Sequence, residues 1–212
     1  MLAISTAWNY KTDADICSML QEIKDAGLNQ LELGYRLTHS QLEEIIKLLP
    51  EMQMKVVSVH NFCPVPYDEP SPRHPSNYYR LSSLDPKESA KAVEWTNRSV
   101  DTAVRVGAQA LVIHAGTVEL PDDPSSKLFE LYRAGKQDTQ EFKELRMQLV
   151  KARQQVKRPY IETLKGTLAQ IVAYAKKKNI KIGLETRYYP IEIPNYEEVG
   201  LFLDLFEKDG MG

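Results

Sequence analysis

The chain has little cysteine, no surplus of either charge, no glycine-rich turn near its start and no long apolar run, and each lack narrows what it can be. Only two of its 212 residues are cysteine, Cys17 and Cys63. They form neither a CxxC pair nor a finger spacing, which excludes a zinc finger or a disulfide scaffold. Free thiols in a reducing compartment are expected, one in the core and one in a loop. Lys and Arg number 27 against 29 Asp and Glu, a net charge of -2. Without a basic surplus a polyanion would need a local patch, so nucleic acid is a disfavoured partner. No stretch reaches the ~18 apolar residues of a membrane span. The opening "MLAISTAWNYKTDAD" lacks a basic segment followed by an apolar one, and the chain reads as cytosolic with no membrane partner.

What the sequence does contain is a regular alternation. Short apolar runs occur at 2–6 (LAIST), 30–34 (QLELG), 54–60 (MKVVSVH), 110–114 (ALVIH) and 180–186 (IKIGLET). Helical patterns separate them. In the first, Ile16, Met19, Leu20 and Ile23 share one face, with Thr12 as N-cap and Gly27 as stop. The second opens with a Ser40-x-x-Glu43 capping box and ends against Pro50. The third has Pro86 at its first position and closes at Gly107. A fourth, from Pro159 onward, carries Ile161, Leu164, Leu168, Ile171 and Ala175 on one side and Lys176, Lys177 and Lys178 at its negative end. The fifth is capped by Asn195 and stopped by Gly210.

Strand and helix alternating five times imply a parallel sheet, because each helix returns the chain to the end where the next strand begins. An open doubly wound sheet and a (β/α) barrel both satisfy this. The first usually shows a glycine-rich turn after its first strand; here that turn is "AWNYKTDAD", with no glycine. Polar groups gather instead at the ends of several strands, the way barrels build active sites. The fold expected is therefore α/β, of the TIM-barrel type, as one domain over 1–212 with loop insertions at 61–84 and 115–157. Both insertions follow strands that end in histidine, so both should project over one mouth, with Tyr67, Tyr78 or Tyr79 shielding it. Within the second, Phe142, Leu145, Leu149 and Val156 share a helical face, and the basic group Lys151, Arg153, Lys157, Arg158 reads as that helix's solvated side.

Three strand ends carry the candidate chemistry: His60 closes "VVSVH", His114 closes "LVIH", and Glu185 ends "IGLE" with Arg187 just beyond. A histidine at a strand end is commonly a satisfied structural residue. Two of them with a glutamate, all on one edge, point to a shared site.

The ordered segments "LELGY", "VVSVHNFCPVP", "LVIHAG" and "IGLETRYYPIEIPNYEEV" resemble the xylose isomerase-like TIM-barrel superfamily, which holds sugar and sugar-phosphate isomerases and epimerases and an endonuclease IV-like branch. The resemblance implies a divalent metal (Mn, Mg, Co or Zn) at the barrel mouth, with Glu185 as ligand, His60 and His114 as further candidate ligands, and Glu185 and His114 as the catalytic groups. His60 and His114 match histidines that bind zinc in the nuclease branch and touch substrate in sugar isomerases. Glu32 matches a recurrent acidic position and is assigned to substrate binding with His60 and Arg187; the roles of Glu32 and Glu192 are open. The expected activity is proton transfer through an enediolate on a small carbohydrate. A zinc phosphodiesterase and a non-catalytic small-molecule-binding barrel are the alternatives. The family continues through strands six to eight, whereas this chain ends at "FEKDGMG". An arc of five strands leaves two open edges, so the remainder is expected to come from elsewhere or from a longer chain, and self-association stays open. By itself the 212-residue chain is expected to bind metal weakly and to turn over nothing.

Overall fold

The computed structural model describes residues 2–11, 15–66 and 77–212. Thr12 and Tyr67 lie outside the described residues. The β-branched runs form strands β1 (Ile4–Ser5), β2 (Gln30–Leu33), β3 (Lys55–His60) and β4 (Ala110–Ile113). A two-residue strand, β5 (Gly116–Thr117), precedes β6 (Lys181–Leu184) and β7 (Glu192–Ile193). The main sheet has the order β1-β2-β3-β4-β6, every pair parallel, so its strands are neighbours in chain order. A first strand in the middle of the sheet would have meant the doubly wound alternative; β1 is at an edge. Beyond β6, Ile182 bridges Met211 in parallel, and Leu184 N–H donates to Gly212 O at 2.9 Å.

The crossover helices are α1 (Ile16–Asp25), α2 (His39–Glu51) and α3 (Pro86–Arg105), then α4 (Ser125–Arg133), α5 (Gln140–Lys177) and α6 (Tyr196–Phe206). Their apolar faces meet the sheet in one cluster that includes Leu20, Ile23, Leu31, Val59, Leu111, Leu164 and Phe202. Several local expectations are corrected. Among the described residues Asp15 caps α1, accepting from Ser18 N. The capping box of α2 belongs to Thr38 and Gln41, two residues before Ser40, and Pro50 lies inside the helix. Proline in a final turn still forfeits a hydrogen bond, but the apolar face with buried Leu49 carries the helix past it. The two helices expected on either side of Pro159 are one helix of 38 residues. Pro86 and Asn195 occupy the positions the sequence indicates. Cys63 is buried, whereas Cys17 is exposed on α1 rather than in a loop.

The connections after β3, β4 and β6 interlock above the C-terminal edge of the sheet. Ser82 N–H donates to Ala115 O at 3.0 Å, Ser82 Oγ to Thr117 O at 3.0 Å, and β5 pairs antiparallel with β7. Gly116 makes that approach possible: its φ is +128°, and a Cβ there would collide with the Ser82 hydroxyl. The described parts of both histidine-ended connections therefore meet at the C-terminal edge of the sheet. Tyr79 packs against Phe62 in the core, ring centroids 6.1 Å apart, instead of over the mouth.

Candidate active site

His60 is the last residue of β3, His114 follows β4 and Glu185 follows β6, with Glu185 N–H still on the ladder at 3.1 Å from Ile113 O. Adjacent parallel strands lie ~4.8 Å apart, so the three side chains meet. One ligating atom from each lies within 4.8 Å of the others. The imidazole rings stand edge to face, centroids 4.5 Å apart. Both histidines are buried, while the Glu185 side chain is 46% exposed. A pocket of about 600 Å³ opens over them, walled also by Ser5, Glu32, Tyr35, Arg187 and Tyr188.

The hydrogen bonds fix which nitrogen of each ring carries a proton. His60 Nδ1 lies 3.0 Å from Asn61 O, an acceptor only, so Nδ1 donates. In the neutral ring this leaves the Nε2 lone pair 3.2 Å from Glu185 Oε2. Two acceptors then face one another, a contact that becomes attractive when a cation or a second proton enters it. His114 is the reverse. Arg187 Nη1, a donor only, lies 2.9 Å from His114 Nδ1, so the neutral ring carries its proton on Nε2. That Nε2 is 3.4 Å from Glu185 Oε2 without hydrogen-bond alignment, and among the described residues no other group takes its proton.

Electrostatics follow from these contacts. When their Nε2 atoms carry protons toward it, the imidazoles of His114 and His60 outweigh the cost of partial burial and hold the Glu185 carboxyl well below the usual carboxylate range. Burial pushes His114 downward; Glu185 pulls it back up, while His60 and Arg187 add to the depression. Glu192 is raised by burial, although its carboxylate lies 3.1 Å from Arg187 Nε and accepts Tyr189 N–H at 2.9 Å.

Each residue singled out in the sequence therefore has a place. His60, His114, Glu185 and Arg187 converge. Glu32 lines the same pocket from β2, accepting the Ser58 hydroxyl at 2.9 Å. Glu192 stands behind Arg187. Sequence reasoning missed Tyr35, which leans on His60 at 5.0 Å and on His114 at 6.4 Å. It also missed the support beneath Asn61, whose side-chain amide donates to Thr96 Oγ1 at 2.8 Å and accepts from Ser99 at 2.9 Å. Thr96 and Ser99 sit three apart on the buried face of α3, and hydroxyls on an otherwise apolar face were the readable signal. The basic cluster is a correction in part: Lys151 and Arg158 are exposed as expected, but Arg153 and Lys157 turn inward. Arg153 is buried, its guanidinium on Glu198 at 2.6 and 2.7 Å and on Glu192 O at 3.0 Å, with Lys157 joining Glu198 at 3.1 Å.

A parallel α/β sheet with histidine and glutamate at successive strand ends defines a barrel-type protein with its site at the C-terminal face. The chain belongs to the xylose isomerase-like TIM barrel family, whose model matches residues 20–211. Among curated proteins none matches the sequence. Solved structures do share the fold. D-allulose 3-epimerase from Methylomonas sp., in complex with D-allulose, is 16% identical with a TM-score of 0.63, covering 99% of this chain and 59% of its own. L-ribulose 3-epimerase is also 16% identical with a TM-score of 0.62, covering 99% and 58%. The 3-keto-D-glucoside 4-epimerase from E. coli is 14% identical with a TM-score of 0.60, covering 95% and 64%. The chain thus spans about three fifths of the length of these structures.

Proposed function

We propose that this site is that of a sugar isomerase or epimerase, exchanging a proton at a carbon next to a carbonyl. The observation that carries this reading is the convergence of an ionised carboxylate, Glu185, with an imidazole whose N–H has no partner within its described surroundings, His114 Nε2. Proton removal beside a carbonyl needs a base for the carbon and a donor for the oxygen that becomes an enediolate. Glu185 accepts the proton and His114 Nε2–H donates to the oxygen. Arg187 holds His114 in the donating tautomer. Glu32, from the opposite side of the pocket, contacts a substrate hydroxyl. The sharing of fold with sugar epimerases supports the same class of substrate.

The residues also fit a divalent cation. His60 has the orientation of a metal-ligating histidine, with Nδ1–H on a backbone carbonyl and Nε2 toward the mouth, and Glu185 brings a negative oxygen to the same point. His60 and Glu185 would hold the ion, and His114 becomes a third ligand only if Arg187 releases it. When bound, the ion polarises the substrate carbonyl, which offsets the weak basicity of a carboxylate held so low.

The test is deuterium wash-in from D2O to ketopentoses and ketohexoses, with manganese, cobalt, magnesium or zinc added in turn. With the family's remaining strands supplied, exchange is expected and is absent in Glu185→Gln, whereas the 212 residues alone are expected to turn over nothing. Undiminished exchange in that variant would overturn the assignment, and cleavage of an abasic-site duplex without sugar exchange would move the protein to the phosphodiesterase branch.

A further inference from the structure

A second cavity, of about 520 Å³, adjoins the site. It is enclosed by α4, the first turns of α5 and the segment after β6, and Tyr188 is a wall of both this cavity and the site pocket. We infer that it receives an apolar substituent attached to the sugar, so that the ligand of this site is a glycoside that keeps a ketone on its ring, as the proton exchange requires, and carries an aryl or alkyl aglycone. The inference rests on the carbohydrate reading above.

Three observations converge on it. The first is composition. The walls are mostly aliphatic and aromatic, Leu128, Phe129, Tyr132 and Phe142 among them, with Arg146 the one charged side chain, and among the described residues no carboxylate or amide lines the cavity. Sugar hydroxyls both donate and accept, and the polar groups on the wall are few: the Arg146 guanidinium, the phenol oxygens of Tyr132, Tyr188 and Tyr189, and the Ser125 hydroxyl, which is spent on Asp123 at 2.6 Å. The larger part of the wall offers a second sugar ring no partner, whereas an apolar group is well served by it. The second is geometry. Phe129 stacks on Tyr188 with an interplanar angle of 26°, meets Tyr189 edge-on at 5.9 Å and carries the Arg133 guanidinium 5.3 Å from its centroid, so the aromatic wall is ordered before any ligand enters. The third is continuity. Tyr188 directly follows Arg187, the residue that orients His114, so a ligand held over the imidazoles reaches the cavity by passing one ring. Tyr188 itself is 69% exposed and Tyr132 61%, apolar surface that a bound aglycone would cover.

The experiment is a titration of the protein with 4-nitrophenyl glycosides against the methyl glycosides of the same sugars, read by calorimetry and by saturation transfer to the aryl protons. The aryl compounds should bind tighter by on the order of tenfold or more. The preference should fall toward unity in Phe129→Ala and in Tyr132→Ala; the exposure of Tyr132 makes its variant independent of folding, and circular dichroism checks both. Equal affinity for aryl and methyl compounds, including no binding of either, overturns the inference, as does an aryl preference that survives both substitutions. If a second copy of the chain covers the cavity instead, sedimentation shows a dimer and the preference is absent. Deuterium wash-in separates this result from the parent reading: aryl preference without exchange retires the isomerase and keeps the cavity, and exchange without preference does the opposite.

Discussion

Arg187 uses one guanidinium for two tasks, Nη1 on His114 Nδ1 and Nε on buried Glu192. Lysine has a single point of charge on a flexible stem and cannot make both contacts at once. Arg187→Lys is therefore expected to keep the fold while slowing proton exchange by about 10–100-fold, the usual cost of losing a group that orients a site histidine. Nitrogen-15 shifts of His114 should show the Nε2–H form losing population; an unchanged tautomer with an unchanged rate would refute the role. Away from the site, Glu88 is a carboxylate with a clear pH signature. Burial disfavours its charge, but Arg80 at 3.1 Å and the Ser83 hydroxyl at 2.7 Å prevail and hold it at about 2. A carboxyl whose folded pKa lies below its ordinary 4.5 contributes stability that is fully present above 4.5 and is lost as pH falls through about 2. Urea midpoints at neutral pH and at about pH 3 should thus differ more in the wild type than in Glu88→Gln. An equal acid loss in both proteins would show that other groups carry it.

At the scale of elements, α5 and α6 are joined by the Arg153–Glu198 pair, each side chain 4% exposed. Glu198 also serves as the third residue of the α6 capping box, accepting Asn195 N–H at 2.9 Å. Glu198→Gln leaves a buried guanidinium without its charge partner, which should cost about 3–5 kcal/mol in urea unfolding. Arg153→Met combined with Glu198→Leu should recover much of that loss, and a single variant as stable as the wild type would show the pair to be dispensable. This pair marks the limit of what the sequence discloses. Periodicity reports which face of a segment is apolar, so the five main strands, α1, α3 and α6 were readable, and so were the strand-end residues of the site. It does not report a partner 45 residues away, so Arg153 read as part of a solvated basic face. Helix α4 was hidden between "PDDP" and "AGKQ", where turn-forming residues outweigh nine helical ones. β5 and β7 are two residues each, too short for any alternation to show. Thr38 and Ser40 are both able to cap, and only the path of the backbone decides between them.

Taken as a whole, the molecule is a parallel arc in which β3, β4 and β6 each deliver one member of the site, so whatever binds there ties three strands together. No helix among the described residues is long and apolar enough to cross a membrane. An ion held by His60 and Glu185 binds the folded chain and only weakly the unfolded one, because residues 125 apart in sequence converge only after folding. Binding must then raise stability by mass action. At a free ion concentration about 100 times Kd the gain is about 2.7 kcal/mol. For a chain of this size that corresponds to a rise of roughly 5–10 °C in Tm. Thermal unfolding with increasing manganese, cobalt or zinc should show the rise in the wild type and lose it in Glu185→Gln and in His60→Ala. His114→Gln should keep most of it, since the proton on His114 Nε2 makes that nitrogen a donor while Arg187 occupies the other. The order of the variants carries the test: a shift that depends on His114 more than on His60 would reverse the tautomers deduced from Asn61 O and Arg187, and a shift that survives Glu185→Gln would place the ion elsewhere.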